Sequence, residues 1–373
     1  MNGLLLASFG EALTYVLYIF IAILVLLFMI TVHELGHYIA GKIFGFGIEE
    51  FSIGFGPKIF GKVKKNGEKF SIRLLPLGGF CSFKGEDEES DDEKAFNNKK
   101  PWQRIIVLVS GALMNYISAL LIIALMFSFY GHSAIMTYET ISAPTAIEYS
   151  FKDRDVIVKA EGKNVYLLTD LMEVVEGKDS GEKVDFTIMR GGVKQNVSII
   201  LQNDTHFQNV EDVEKLCSAL GIKFEKNIET GEILTTGFRT TGIKLGFFHT
   251  VGRTFEYSLK LAGTLFKVLG QLISGAIGLG SVGGTVTTIS VTAQAVRAGG
   301  IWSLLNISAL IGVNLAVFNL LPIPALDGSR VVFTAIEWVR KKPINRRVEG
   351  IIHTVGLVVI FLFAIIIDLN QCF

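Results

Sequence analysis

Apolar, uncharged residues are concentrated in four long runs of the chain, and the segments between the runs are more polar. An α-helix needs about 20 apolar residues to cross the hydrocarbon core of a bilayer, and it satisfies its own backbone hydrogen bonds there. Helices of soluble proteins rarely reach this length without a charge. The pattern therefore predicts four transmembrane helices, at about residues 12–41, 105–130, 301–326 and 351–367.

The segments between the runs have other periodicities. Residues 51–80 are typical of two strands joined at Asn66-Gly67, a dipeptide that favours a tight hairpin turn. Residues 131–246 contain strand-like stretches around a short helix, which predicts one small α+β domain. Residues 247–300 begin with an amphipathic helix and end in a glycine-rich connector. The apolar face of that helix fits either the membrane surface or the face of the small domain.

These elements together predict a polytopic α-helical membrane protein with a membrane-associated β-hairpin and an inserted α+β domain. The predicted parts are an N-terminal membrane part, the inserted domain, the amphipathic helix with its connector, and a C-terminal membrane part, at residues 1–130, 131–246, 247–300 and 301–373.

Composition agrees with a membrane protein and excludes other classes. Hydrophobic residues make up 50% of the 373 residues and charged residues 19%, whereas soluble proteins carry about 25% charged residues. Lys+Arg and Asp+Glu each number 35, so no net field attracts nucleic acid. The three cysteines lie far apart, which excludes a disulfide framework and a cysteine zinc cluster. The sequence carries no signal for an oligomeric state.

Basic residues are distributed unevenly between the two sides of the predicted membrane. Residues 42–104 contain 12 Lys and Arg and residues 327–350 contain six, whereas residues 1–13 and the tail after Ile367 contain none. Cytoplasmic loops carry the excess of Lys and Arg. We therefore expect both basic loops in the cytoplasm, both termini outside it, and residues 131–300 on the extracytoplasmic side.

The cytoplasmic end of the first run carries the sequence His33-Glu34-Leu-Gly-His37. Two histidines four residues apart lie on one face of a helix, at the right reach for one Zn²⁺. Glu34 points about 100° away and is placed to act on a water at the metal as a general base. Ionisable groups inside a membrane helix are expensive and indicate function. The alternative is a polar patch that packs against a neighbouring helix or lines a transport path.

A catalytic zinc needs a third protein ligand and an open position. Asp327 is the best candidate, because it follows the third run and approaches the same side of the membrane. Pro322 and Pro324 interrupt the helix just before it, and irregular backbone at membrane depth is tolerated where it lines a cavity. The alternative is an aspartate in an ordinary interfacial turn.

His33-Glu34-x-x-His37, together with Asn319-x-x-Pro322-x-Pro324-x-x-Asp327-Gly, resembles the site-2 proteases. These are intramembrane zinc metalloproteases, and the closest resemblance is to the bacterial regulator-of-sigma-E type. It covers nearly the whole chain. It implies four spans, a cytoplasmic membrane-associated β-loop and an extracytoplasmic PDZ-like region.

The resemblance also implies roles for single residues. His33, His37 and Asp327 would bind Zn²⁺, Glu34 would activate water, and Asn319 would contact the substrate or the transition state. Pro322, Pro324 and Asn115 are further candidates for substrate binding or for the structure of the site. Ala112 and Ala276 stand where the family commonly has proline, and Ser329 stands where a second glycine is usual.

The predicted function is hydrolysis of peptide bonds within transmembrane segments of single-pass membrane proteins, such as an anti-sigma factor or a signal-peptide remnant. The lipid bilayer of a bacterial plasma membrane is the expected surrounding, with the site near the cytoplasmic side. Two alternatives remain at this point: a different H-E-x-x-H membrane peptidase, and a non-proteolytic scaffold or transporter with a metal site.

Overall fold

The computed structural model describes residues 2–86, 90–137, 151–207, 212–226, 233–244, 246–275 and 284–372. The chain divides into two compact units, Met1–Leu125 with Thr254–Phe373 and Met126–Arg253. The described helices are α1 (Asn2–Ile43), α2 (Pro101–Tyr130), α3 (Leu168–Val175), α4 (Val213–Leu220), α5 (Phe247–Ile273), α6 (Thr285–Leu320), α7 (Asp327–Arg340) and α8 (Arg346–Cys372). The described strands are β1 (Ile48–Val63), β2 (Lys69–Phe83), β3 (His132–Thr137), β4 (Val156–Ala160), β5 (Lys163–Asn164), β6 (Lys183–Arg190), β7 (Val193–Ile200), β8 (Phe224–Lys226), β9 (Ile233–Thr236) and β10 (Phe238–Ile243).

Four of the described helices are long and apolar enough to cross a membrane. The spanning segments are Leu13–Ile43, Pro101–Tyr130, Val286–Leu320 and Arg347–Leu369, which belong to α1, α2, α6 and α8. The prediction of a mostly helical membrane protein with four spans is therefore confirmed.

The third span differs from its predicted bounds of 301–326. Helix α6 begins at Thr285, inside the segment predicted as a glycine-rich connector, and it ends at Leu320. Gly300 interrupts it with φ 59° and ψ −142°, so the helix consists of two parts. Proline lacks the N–H that an α-helix needs, and Pro322 therefore ends the span early. Residues 276–283 of the predicted connector lie outside the described residues.

Helices α1 and α2 approach each other closely at two glycines. A Cβ on Gly36 would lie 2.3 Å from the Ser110 carbonyl oxygen and 2.9 Å from the Gly111 Cα, so only glycine fits there. The α1 helix then ends in a Schellman motif, in which the Phe46 N–H donates to the Gly41 carbonyl at 2.8 Å. Gly45 takes the left-handed conformation (φ 68°) that this motif requires.

Strands β1 and β2 fold back on each other more than once. Around the turn at Asn66-Gly67, residues 60–63 pair with 69–72. Residues 50–53 pair with 69–72 on one side and with 79–82 on the other. Residues 79–83 pair on one side only, with residues 48–53 of β1. This segment is therefore an edge of the small sheet.

A buried carboxylate ties the hairpin turn to the C-terminal end of α1. Glu68 is almost fully buried and accepts hydrogen bonds from the ammonium groups of Lys42 and Lys64. The Tyr38 hydroxyl lies 3.4 Å from the same carboxylate. The sheet therefore has a defined position at the end of the helix that carries His33 and His37.

The second unit contains a sheet with strand order β10-β3-β4-β6-β7, and β5 pairs with β4. Strand β6 alternates strictly, with Val184, Phe186 and Ile188 buried. These side chains form a core with Leu171 of α3 and Leu216 of α4. The core therefore follows the two-residue period of the strand and the apolar faces of the two helices.

A buried ion pair joins α2 to α7 in the first unit. Arg104 and Glu337 are 4% and 6% exposed, and the Arg104 Nη1 donates to the Glu337 carboxylate at 2.6 Å. The other Glu337 oxygen accepts a hydrogen bond of 2.9 Å from the Ile344 backbone N–H. Because α7 begins at Asp327, this pair also fixes the helix that carries the candidate third ligand.

We expect Glu337→Ala to lower the free energy of unfolding by about 3–5 kcal/mol, since it leaves the Arg104 charge buried without its partner. The thermal unfolding midpoint of the purified protein in detergent measures this. Glu182→Ala, which removes the exposed partner of Lys178, should barely change the midpoint. Equal midpoints for Glu337→Ala and the wild type would contradict the expectation.

Candidate active site

Two imidazoles and one carboxylate lie close together in the first unit. His33 and His37 come from α1, and Asp327 is the first residue of α7. The His33 Nε2 lies 2.9 Å from the Asp327 Oδ2, and the His37 Nε2 lies 3.3 Å from the same oxygen. The two Nε2 atoms are 3.1 Å apart. The fold thus brings together residues that are 294 positions apart in the chain.

The orientation of His37 is set by a backbone carbonyl of α2. The His37 Nδ1 lies 2.8 Å from the Val107 carbonyl oxygen, which can only accept a hydrogen bond. The proton of a neutral His37 therefore resides on Nδ1, and its Nε2 presents a lone pair to His33 and Asp327. This is the arrangement in which an imidazole binds a metal through Nε2.

Asp327 is positioned by an irregular turn that replaces the end of the third span. Ala325 in this turn has φ 80°, a conformation rare for a residue with a side chain. The Ala325 N–H donates to the Nδ1 of His353 on α8 at 3.2 Å. Pro324 packs so closely on α8 that a Cβ on Gly356 would lie 2.4 Å from it. The fourth span therefore supports the turn that aims Asp327.

The donor set fits a zinc ion. Zinc ligands lie about 2.0–2.2 Å from the metal, so tetrahedral neighbours are about 3.3–3.6 Å apart. The three separations of 2.9, 3.1 and 3.3 Å lie at or slightly below the lower end of that range. Two imidazole nitrogens and one carboxylate oxygen are typical catalytic zinc ligands, and three ligands leave a position open for water or substrate. Among the described residues, this is the group of His, Cys, Asp and Glu side chains placed to hold a metal.

Glu34 lies beside the cluster, next to the edge segment 79–83 of β2. The backbone N–H of Cys81 faces its carboxylate. A Cβ on Gly79 would lie 3.4 Å from the Glu34 Cγ, so the strand backbone passes directly over this side chain. Burial and the Glu34 charge raise the pKa of the Cys81 thiol, which keeps that thiol protonated.

A polar cavity of about 500 Å³ reaches Asp327. Its lining includes Arg330, which pairs with Glu86, as well as Glu349 and His353. Charged walls at this position let water approach a carboxylate that otherwise lies among apolar helices.

Four further candidates from the sequence lie near the cluster. The Nδ2 atoms of Asn115 and Asn319 are each 3.4 Å from the His33 Nδ1. Pro324 lies in the turn before Asp327, and Pro322 lies two residues after the end of α6. All of the proposed site residues therefore lie in one region of the first unit.

Sequence reasoning missed several groups that support the site. Val107 acts through its carbonyl and carries no sequence signal for that role. Cys81 acts through its N–H, which depends on the strand register. His353 had a visible signal, because it is the ionisable residue of an otherwise uncharged run. Its link to Ala325 required the turn geometry.

The family model described as peptidase family M50 matches residues 21–363. The chain belongs to peptidase family M50. A Clostridium perfringens protein named "Putative zinc metalloprotease" is 33% identical, with 95% of this chain and 98% of that relative covered. Metalloprotease MmpA of Caulobacter vibrioides is 30% identical, with 93% and 94% covered. The M50 chain is accordingly a membrane zinc metalloprotease, and the predicted membership in the site-2 protease family is confirmed.

We expect Gly111→Ala to displace both imidazoles and to reduce the bound zinc strongly. A Cβ at this position would lie 2.4 Å from the His37 Nε2 and 2.8 Å from the His33 Cε1. Metal analysis of the purified protein measures the loss. The matched control is Gly263→Ala on α5, where a Cβ meets nothing within 4 Å. Full zinc occupancy in Gly111→Ala would contradict the expectation.

Proposed function

We propose that this M50 metalloprotease hydrolyses peptide bonds within transmembrane segments of single-pass membrane proteins. His33, His37 and Asp327 hold the zinc, and Glu34 is the general base. The observation that carries the proposal is the convergence of Asp327 with two histidines of a spanning helix, with Glu34 next to them.

The depth of the ligands supports cleavage inside the membrane. Counted from Lys42, which marks the cytoplasmic end of α1, His37 lies about 7 Å and His33 about 13 Å along the helix at about 1.5 Å per residue. A peptide bond that reaches this depth belongs to a membrane-embedded segment. A soluble peptide would have to enter the apolar region first, at a high cost for its backbone groups.

The protein groups have defined tasks in the hydrolysis. Zinc bound at this site supplies a Lewis acid that polarises the scissile carbonyl and lowers the pKa of a water molecule. Glu34 removes a proton from the attacking water and delivers it to the leaving amine. The Cys81 N–H orients the Glu34 carboxylate, and the cavity beside Asp327 supplies water.

An extended substrate fits the edge segment 79–83 of β2. A helix has no free backbone groups, so a substrate segment must unwind before it can be cut. An edge strand offers backbone hydrogen bonds to such a segment with little demand on its sequence. This edge lies beside Glu34, so a strand added there would pass close to the general base. The half-exposed Asn319 carboxamide is placed to donate to a substrate carbonyl.

The topology in this proposal follows the distribution of basic residues. Both termini and the unit Met126–Arg253 lie outside the cytoplasm of a bacterial cell, and the zinc lies toward the cytoplasmic side. The unit acts as a PDZ-like domain. The β-strands and short helices of this unit support that assignment.

We expect Glu34→Gln to keep its zinc and to lose about 10²–10⁴-fold in cleavage rate, because the amide accepts no proton. The assay uses the full chain in liposomes with a single-pass model substrate. Glu93→Gln, a change at an exposed glutamate, is the matched control. Cleavage by Glu34→Gln at the wild-type rate would refute the role of Glu34 as general base, whereas no cleavage by the wild type would favour a scaffold or transporter.

We expect Asp327→Ala to lose most of its zinc, since only two protein ligands remain. Metal analysis of this variant also separates two kinds of enzyme. A membrane peptidase that uses a glutamate as its third ligand would stay fully metallated in Asp327→Ala. That result would move the third ligand elsewhere in the chain.

A further inference from the structure

His33 presents one ring nitrogen to the metal cluster and the other to two carboxamides. Its Nε2 faces the His37 Nε2 and the Asp327 Oδ2. A neutral imidazole that binds a metal through Nε2 carries its proton on Nδ1, and that N–H needs an acceptor to hold the ring in place. The groups next to the Nδ1 are Asn115 and Asn319.

Both carboxamides have their nitrogen toward the ring, each with its Nδ2 at 3.4 Å from the His33 Nδ1. A donor cannot accept the Nδ1 proton, so at least one carboxamide must turn its oxygen to the ring. The two ends of a carboxamide have nearly the same shape, and a rotation of 180° exchanges them without moving other atoms.

Asn115 has the stronger reason to rotate. It is completely buried, and its Oδ1 has no hydrogen-bond partner among the described residues. A buried oxygen without a partner is costly. The rotation places Oδ1 against the His33 Nδ1–H and gives this oxygen a partner. Asn319 is half-exposed and has no comparable penalty.

The spacing along α2 fits such a role. Val107, Gly111 and Asn115 follow each other at intervals of four residues and therefore share one face of the helix. Val107 holds His37 through its carbonyl, and Gly111 lies against both imidazoles. Asn115 lies one turn further along the same face, next to the His33 ring.

We propose that Asn115 is the positioning residue of His33: its Oδ1 accepts the Nδ1–H and presents the Nε2 lone pair to zinc. Asn319 is then free to donate its amide to the substrate. This inference rests on the proposed zinc site and adds to it a residue that contacts a zinc ligand but not the zinc.

The test compares zinc dissociation constants of full-length variants in detergent, measured by competition with a chromophoric chelator. Asn115→Leu keeps the size but removes the acceptor, and we expect about tenfold weaker binding. Asn115→Asp keeps an acceptor oxygen, and we expect binding within about threefold of the wild type. Asn115→Ala, a smaller change, replaces Asn115→Leu if the leucine variant fails to fold.

Two controls separate positioning from packing. Asn314→Leu changes another asparagine with an unpartnered oxygen, on α6, and should keep the wild-type affinity. Asn319→Leu should also keep it, while raising the KM for the membrane substrate. The d–d spectrum of the Co²⁺-loaded protein should change in Asn115→Leu and return in Asn115→Asp.

The outcomes distinguish the inference from the function on which it rests. Zinc content in His33→Ala equal to the wild type would overturn the site itself. If His33→Ala loses its zinc but Asn115→Leu keeps the wild-type affinity, only the role of Asn115 is wrong. The role is also wrong if Asn319→Leu carries the loss, or if Asn115→Asp binds as weakly as Asn115→Leu.

Discussion

The close approach of α1 to α2 is the constraint on which the site depends. Gly36 and Gly111 remove the side chains that would separate the two helix backbones. Two imidazoles can then lie among apolar helices and still find partners on α2 for their ring nitrogens. Inside a membrane no water would satisfy these polar groups, so helix packing must do it. The positions of the two imidazoles therefore depend on the short distance between the backbones of α1 and α2.

Much of the architecture was predictable because membrane helices are specified by length and composition. The four apolar runs correspond to α1, α2, α6 and α8, and His33, Glu34 and His37 stood out as polar residues in an apolar helix. Asp327 was predictable from its place after two prolines. The i, i+4 period is a local property, so the sequence alone indicates which side chains share a face.

The remaining features depend on contacts between distant segments. Helix α6 begins at Thr285 with several threonine and serine residues, which have helical geometry but contribute little hydropathy. The contact of β2 with Glu34 depends on a register in which residues 50–53 pair on both sides. The Ala325–His353 hydrogen bond joins a strained turn to another span. None of these has a periodic signature, since each arises only when separate elements pack.

The order in which the ligands occur along the chain has a consequence for biosynthesis. His33, Glu34 and His37 are made early, whereas Asp327 follows only after the whole unit Met126–Arg253 has been translated. A nascent chain therefore carries the candidate base and two candidate ligands before the third candidate ligand exists. Because the insertion separates the two parts of the proposed metal site, its length sets how much of the chain must be translated before the site can form.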